Sequence, residues 1–232
     1  MKHVYMFDVD GTLTPSRQRM NRFFAKWFEQ FATHNAVYFV TGSDRDKTIE
    51  QLGTHLYNLA LRVYNCSGNH VFEQDREVYR TDWKLPDKAV QYLLSKLHDS
   101  KFYNKTGKHI EERPGMVNFS ICGRNADLET RVMYRQWDED KQERFEIATE
   151  FNSKFPDIEA LVAGETGLDI FPRGLNKKQV LVDFAGLHVH FFGDKMDEGG
   201  NDYPLAEMNW NGTNYHVKDW QHTWELLKEL TE

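Results

Sequence analysis

The run Val4-Tyr5-Met6-Phe7 leads straight into Asp8-Val9-Asp10-Gly11-Thr12-Leu13-Thr14, and this junction limits the fold more than any other feature. A short apolar run of this kind reads as a buried strand, and two carboxylates two positions apart then begin a loop at its end. A second run, Ala36-Val37-Tyr38-Phe39-Val40, ends in Thr41-Gly42-Ser43-Asp44. Between the two, Met20 to Phe31 is rich in aromatics and of helical length. Strand, helix, strand makes a βαβ unit and implies a parallel sheet. Arg62-Val63-Tyr64, His188-Val189-His190-Phe191-Phe192 and Asn214-Tyr215-His216-Val217 supply further candidate strands, with a C-terminal helix over Trp220–Leu230. Each strand gives way to polar or glycine residues. The carboxyl ends therefore gather at one edge, where open α/β sheets bind ligands.

The middle of the chain reads differently. Pro86-Asp87 opens a helix with Val90, Leu93, Leu94 and Leu97 on one face. Met116 to Cys122 alternates, as a half-buried antiparallel strand would. Ala126 to Asn152 is a long charged helical stretch, and Ile158–Ala163 with Leu168–Phe171 forms a hairpin around Gly164-Glu165-Thr166-Gly167. The expected fold is α/β: a Rossmann-like parallel-sheet core over 1–81 and 186–232, with an inserted α+β cap over 82–185.

The sequence has 232 residues, enough for that plan, and its net charge of -7 argues against a broad basic face for nucleic acid. No apolar run approaches a membrane span, and no signal peptide is apparent. Cys66 and Cys122 form neither a metal-ligand pattern nor a disulfide framework, so a cytoplasmic location is expected. The ten histidines show no zinc spacing, and His188 and His190 read as packing residues on one face of a strand.

Two carboxylates as close as Asp8 and Asp10 repel, and ionising both calls for a cation, for which Mg2+ is the usual oxygen-loving choice. A strand ending in an Asp-Gly turn would be the purely structural alternative. The run Gly193-Asp194-Lys195-Met196-Asp197-Glu198-Gly199-Gly200-Asn201-Asp202 also follows a strand. Asp194 could ligate the same cation, and Asn201 and Asp202 add oxygens directly or through water. Thr41 and Ser43 end the second strand, where a hydroxyl can reach a phosphoryl oxygen, although Ser43 and Asp44 could equally cap the next helix.

The pattern D-x-D-G-T-L-T resembles the first motif of the haloacid dehalogenase superfamily of phosphotransferases. That resemblance implies Asp8 as nucleophile and Asp10 as general acid/base. Thr41 falls in the second motif, Lys177 or Lys178 in the third, with Lys177 in the better register, and Asp194 in the fourth. Glu112 to Arg124, with Arg131 beyond, is similar to the cap text of the eukaryotic-type phosphomannomutases. There Arg113, Arg124 and Arg131 would bind the phosphate distant from the reacting one, as forked guanidinium donors can. Asp169 matches a sugar-hydroxyl ligand and Arg17 an arginine reaching the substrate from the core. The register of Asn69 with a family Glu-Asn-Gly element stays open. Thr41 and Gly167 depart from the family's Gly and Ser.

The resemblance implies a hexose phosphate substrate, Mg2+, a hexose 1,6-bisphosphate activator and a homodimer through the cap helix over 87–98. It implies interconversion of mannose 6-phosphate and mannose 1-phosphate, feeding GDP-mannose synthesis. A Mg2+-dependent sugar-phosphate phosphatase of the same superfamily is the alternative, and a catalytically silent scaffold is the reading from another class.

Overall fold

The computed structural model describes residues 2–231. Its strands are β1 (His3–Phe7), β2 (Val37–Val40), β3 (Arg62–Asn65), β4 (His70–Glu73), β5 (Arg76–Arg80), β6 (Ile110–Arg113), β7 (Met116–Phe119), β8 (Ile158–Ala163), β9 (Gly167–Pro172), β10 (His188–Gly193) and β11 (Thr213–His216). Its helices are α1 (Arg22–His34), α2 (Arg45–Leu52), α3 (Thr54–Leu59), α4 (Asp87–Asp99), α5 (Leu128–Lys141), α6 (Glu143–Lys154), α7 (Tyr203–Met208) and α8 (Trp220–Thr231). None is long and apolar enough to cross a membrane.

The larger sheet has seven strands in the order β11-β10-β1-β2-β3-β4-β5. Pairings from β11 through β3 are parallel, and β4 and β5 extend the sheet antiparallel. The parallel strands are covered on both faces, hence their near-continuous apolar text. Phe24, Phe28 and Phe31 of α1 pack with Phe7, Phe39 and Phe192 on one face. Val180 and Phe184 pack with Val4, Met6, Val40 and Phe191 in a separate cluster. Asn21 caps α1 by accepting from the Phe23 and Phe24 amides.

The smaller sheet, order β6-β7-β9-β8, is antiparallel throughout, and α4, α5 and α6 join its own apolar cluster. This unit is called the cap below. The hairpin expected around 164–167 forms, with Ala163 opposite Gly167.

Four details depart from the sequence reading. The long helix breaks at Gln142, whose φ is 53°, because Asp138 turns back to accept from Arg144 N at 2.8 Å and Arg144 Nε at 2.7 Å. The β7 strand is buried on both sides rather than half-buried: Val117 and Phe119 enter the cap core, whereas Met116 and Asn118 face the larger domain or the cavity. Leu94 is exposed, and α4 buries Ala89, Tyr92 and Leu93 instead. Lastly, Lys177–Phe184 is a 3-10 segment lying on the larger sheet, although the sequence placed it inside the 82–185 insertion.

His3, His188 and His190 gather on the larger sheet. Burial, helped by the His188 and His3 rings, pushes the His190 imidazole down to about 4. Cys66 and Cys122 are free and buried.

Candidate active site

The β1 strand carries Asp8 to the edge where the parallel strands end, and Asp8 N donates to Phe192 O of β10 at 2.9 Å. The chain then curls tightly, with three successive amides, Thr12, Leu13 and Thr14, donating to Val9 O. Gly11 adopts φ 83°, and a Cβ there would lie 2.5 Å from Asp194 Oδ2, so only glycine lets the two loops meet.

Lys177 Nζ donates to Asp8 Oδ1 at 2.5 Å and Asp202 Oδ1 at 2.7 Å, fully buried. Oxygens of Asp8, Asp194 and Asp202 lie within 4.8 Å of one another. Lys195 Nζ stands 3.3 Å from Asp194, and its amide donates to Asp202 Oδ2 at 3.1 Å. Burial draws the Lys177 ammonium down, but Asp202 and Asp8 overcome it and hold it above its usual value. Burial raises Asp8 well above the ordinary carboxylate range even against Lys177. Burial also raises Asp194 to about 6, with Asp202 adding to the rise. Three carboxylates, two of them buried and Asp194 half-buried, against two ammoniums leave negative charge uncompensated. An all-oxygen set of this kind suits a hard divalent cation, so the residues fit Mg2+. Asn201 lines the same cavity beside Asp194.

The Asp10 carboxylate is held apart from that cluster and fixed at both oxygens. Oδ1 accepts from Arg17 N at 2.8 Å and Gln51 Nε2 at 3.0 Å, and Oδ2 accepts from Ser43 Oγ at 3.1 Å. Gln51 also donates to Thr14 Oγ1 at 3.0 Å. Ser43 therefore orients Asp10, and it is Asp44 that caps α2. Thr41 Oγ1 accepts from Ser43 N at 3.1 Å and faces the cavity.

The opposite wall is cationic. Arg113, Arg124 and Arg131 of the cap face the cavity with Arg17 from the larger domain. Arg113 donates to Gly42 O at 2.6 Å and also pairs with Glu111. Arg124 lies 2.9 Å from Glu111, and Lys47 lies 3.3 Å from it. Arg131 donates to Thr166 Oγ1 at 3.0 Å and stands 3.7 Å from Glu165. Buried Arg17 Nη2, Arg124 Nε and Arg131 Nε have no partner. Burial, then the Arg124 and Arg131 charges, pull Arg17 down to about 9. Burial alone would raise the Glu111 carboxyl, but Arg113, Arg124 and Lys47 hold it at about 2. Unpaired donors and mutually repelling guanidiniums are the signature of an anion site.

Asp169 accepts from Asn118 Nδ2 at 2.7 Å, and a Cβ on Gly42 would lie 2.3 Å from its other oxygen. A Cβ at Gly167 would lie 2.8 Å from Asn118 Nδ2. Asn69 bonds instead to Cys66 O and Leu175 O, both at 2.9 Å.

The cavity is thus lined by Asp8, Asp10, Arg17, Thr41, Ser43, Arg113, Arg124, Arg131, Asp169, Asp194 and Asn201. Lys177 lies beneath it, donating to both Asp8 and Asp202. The sequence alone did not point to Gln51, Lys47, Glu111, Asn118 or Thr166.

A family model described as eukaryotic phosphomannomutase matches residues 24–232. This chain belongs to the eukaryotic phosphomannomutase family. It is accordingly an enzyme of the phosphomannomutase type. The phosphomannomutase of Saccharomyces cerevisiae is 31% identical, over 97% of this chain and 92% of its own. That of Arabidopsis thaliana is 32% identical, over 88% and 87%. Among solved structures, the C-terminal domain of Candida albicans trehalose-6-phosphate phosphatase superposes with a TM-score of 0.67 at 15% identity, covering 99% of this chain and 91% of that one. A haloacid dehalogenase-like hydrolase from Bacteroides thetaiotaomicron gives 0.59 at 13%, covering 99% and 100%. At such identities the likeness speaks for the haloacid dehalogenase fold alone. The three arginines that the sequence singled out in the insertion, Arg113, Arg124 and Arg131, all line the cavity.

Proposed function

We propose that this phosphomannomutase interconverts mannose 6-phosphate and mannose 1-phosphate through an aspartyl-phosphate on Asp8, with Mg2+ and a hexose 1,6-bisphosphate activator. One observation carries the reading: a single cavity has a carboxylate-lysine cluster at one end and unpaired guanidinium donors at the other. A phosphatase needs one phosphate site. A mutase must hold a sugar with phosphate at both ends.

In this mechanism an Asp8 oxygen attacks phosphorus and the bond to the sugar oxygen breaks. Asp10, aimed by Ser43, Gln51 and the Arg17 amide, gives that oxygen its proton. In the reverse sense Asp10 takes the proton from the acceptor hydroxyl, which attacks phosphorus and frees Asp8. Lys177 offsets charge on Asp8 throughout. Mg2+, held by Asp8, the Asp10 backbone carbonyl and Asp194, with Asn201 and Asp202 beside them, would neutralise phosphoryl charge. Arg113, Arg124, Arg131 and Arg17 would grip the other phosphate, with Thr41 and Asp169 contacting the substrate between the two ends.

The cavity holds about 60 Å³. Ligand pockets run to roughly 300–1,000 Å³, so in this reading the cap parts to admit a hexose phosphate. Shut, it keeps water from the aspartyl-phosphate. The mannose reading also implies supply of GDP-mannose synthesis, in the cytoplasm. A homodimer through the cap belongs to the same reading, with the exposed Leu94 of α4 as surface to be covered.

Phosphorus NMR of the protein with mannose 1-phosphate, Mg2+ and a trace of glucose 1,6-bisphosphate tests the proposal. Mannose 6-phosphate appearing only with the bisphosphate is the expected result. Inorganic phosphate alone would make the enzyme a sugar-phosphate phosphatase.

A further inference from the structure

Away from the cavity, another cluster of metal-ligating side chains among the described residues joins His3, His188 and His190. In the parallel pairing of β1 and β10, His3 stands opposite His188 and Tyr5 opposite His190. His188 and His190 are two apart on one strand and so share a face. Their ring centroids are 4.7 Å apart, and His3 lies 4.9 Å and 5.1 Å from them. His3 Nδ1 is 2.8 Å from His190 Nε2. One nitrogen from each ring falls within 4.8 Å of the other two.

The nitrogens on the far side are also engaged. Tyr215 OH lies 3.1 Å from His190 Nδ1, and Thr213 Oγ1 lies 3.0 Å from His188 Nε2, both from β11. Such outer partners fix tautomer and ring direction in imidazole metal sites. They leave His190 Nε2 and His188 Nδ1 as the nitrogens without those partners. Burial is graded, with His190 buried, His188 half-buried and His3 exposed, so the cluster opens to solvent on one side. A tris-imidazole site with a solvent-facing fourth position is a zinc geometry.

We propose that His3, His188 and His190 bind one late first-row divalent cation, of which Zn2+ is the type, at the amino ends of β1 and β10. Neutral imidazoles suit Zn2+, Ni2+ or Cu2+ and do not suit Mg2+. Tetrahedral ligands at a zinc–nitrogen distance of about 2.05 Å lie roughly 3.3 Å apart, so the His3–His190 pair opens by about half an ångström. Along β1 the site precedes Asp8 by five residues, or roughly 16 Å at the strand rise. It is therefore separate from the Asp8, Asp194 and Asp202 cluster, at the opposite end of the same two strands. A bound ion would tie β1 to β10.

The test uses the full chain, stripped by chelation and returned to saturating Mg2+ so that the carboxylate site is occupied. Calorimetric titration with Zn2+ should give one ion per chain, and Co2+ in its place should give a tetrahedral-type absorption spectrum. Both His3→Asn and His188→Asn should weaken Zn2+ binding at least tenfold, with Mg2+-dependent turnover unchanged. His3 is exposed, so His3→Asn isolates ligation from folding; should it misfold, His188→Asn decides. The proposal is overturned if the unaltered chain binds no Zn2+ beside Mg2+. It is equally overturned if binding survives both substitutions, or is lost in Asp8→Asn instead.

Discussion

At one end of the cavity a buried lysine stands among carboxylates, with Lys177 bonded to Asp8 and Asp202. At the other a glutamate stands among cations, with Glu111 paired to Arg113, Arg124 and Lys47. Each end carries an excess of one sign gathered around a counter-charge, Lys177 at the first and Glu111 at the second. The sign of the excess names the missing ligand, a cation at the first and an anion at the second. The ends also differ in construction. The acidic end comes wholly from loops and a 3-10 turn on the larger sheet. The basic end takes Arg113, Arg124 and Arg131 from the cap but Arg17 and Lys47 from the larger domain, so both units are needed to build it.

Substitutions at the two ends should separate them. Asp8→Asn should lower turnover of every phosphate ester at least about 10³-fold, since the nucleophile is gone; a loss within tenfold in a steady-state assay would break the acidic end's assignment. Lys177→Met leaves the Asp8 and Asp202 carboxylates buried without their shared partner. The expected cost is about 3–5 kcal/mol in urea denaturation, partly recovered by added Mg2+. Unchanged stability would mean that the excess charge at that end is not felt.

Arg124→Ala should lower mutase turnover about 10²-fold while hydrolysis of small phosphate esters persists, because only the far phosphate loses its grip. Equal loss of both activities would erase the distinction between the ends. The smallest effect is expected at Glu111, whose carboxyl is held at about 2 against an ordinary 4.5. A carboxyl depressed in the folded state adds stability that is full above about pH 4.5 and drains away as pH falls toward 2. Glu111→Gln should therefore cost about 1–2 kcal/mol at pH 6, after allowance for solvent screening, and less at pH 3. Thermal melts at the two pH values check it, and a difference that grows in acid would reverse the reasoning.

What the sequence disclosed follows the range of the interactions. Asp8 and Asp10 were legible because they follow β1 at once, and Asp194 because it follows β10, so a local pattern suffices. The cap arginines were legible only as a spaced text, since nothing local tells a ligand-facing arginine from a solvated one. Gln51 and Glu111 left no trace: Gln51 meets Asp10 from a helix 41 positions on, and Glu111 reads as an ordinary strand acid. The β5 strand, Arg-Glu-Val-Tyr-Arg, is exposed along its length and carries no burial pattern. The break at Gln142 is set by the Asp138 side chain, which helical periodicity does not record.

Val162 of β8 donates its amide to Gly199 O at 2.9 Å and accepts from Asn201 N at 3.0 Å. A strand of the cap thus borrows a rung from the loop that carries Asp194 and Asp202. Were the two halves to part, that rung would break and the loop would lose its brace. Hold on the metal and hold on the sugar should rise and fall together, which makes the apparent affinity for Mg2+ a gauge of how often the jaw is shut.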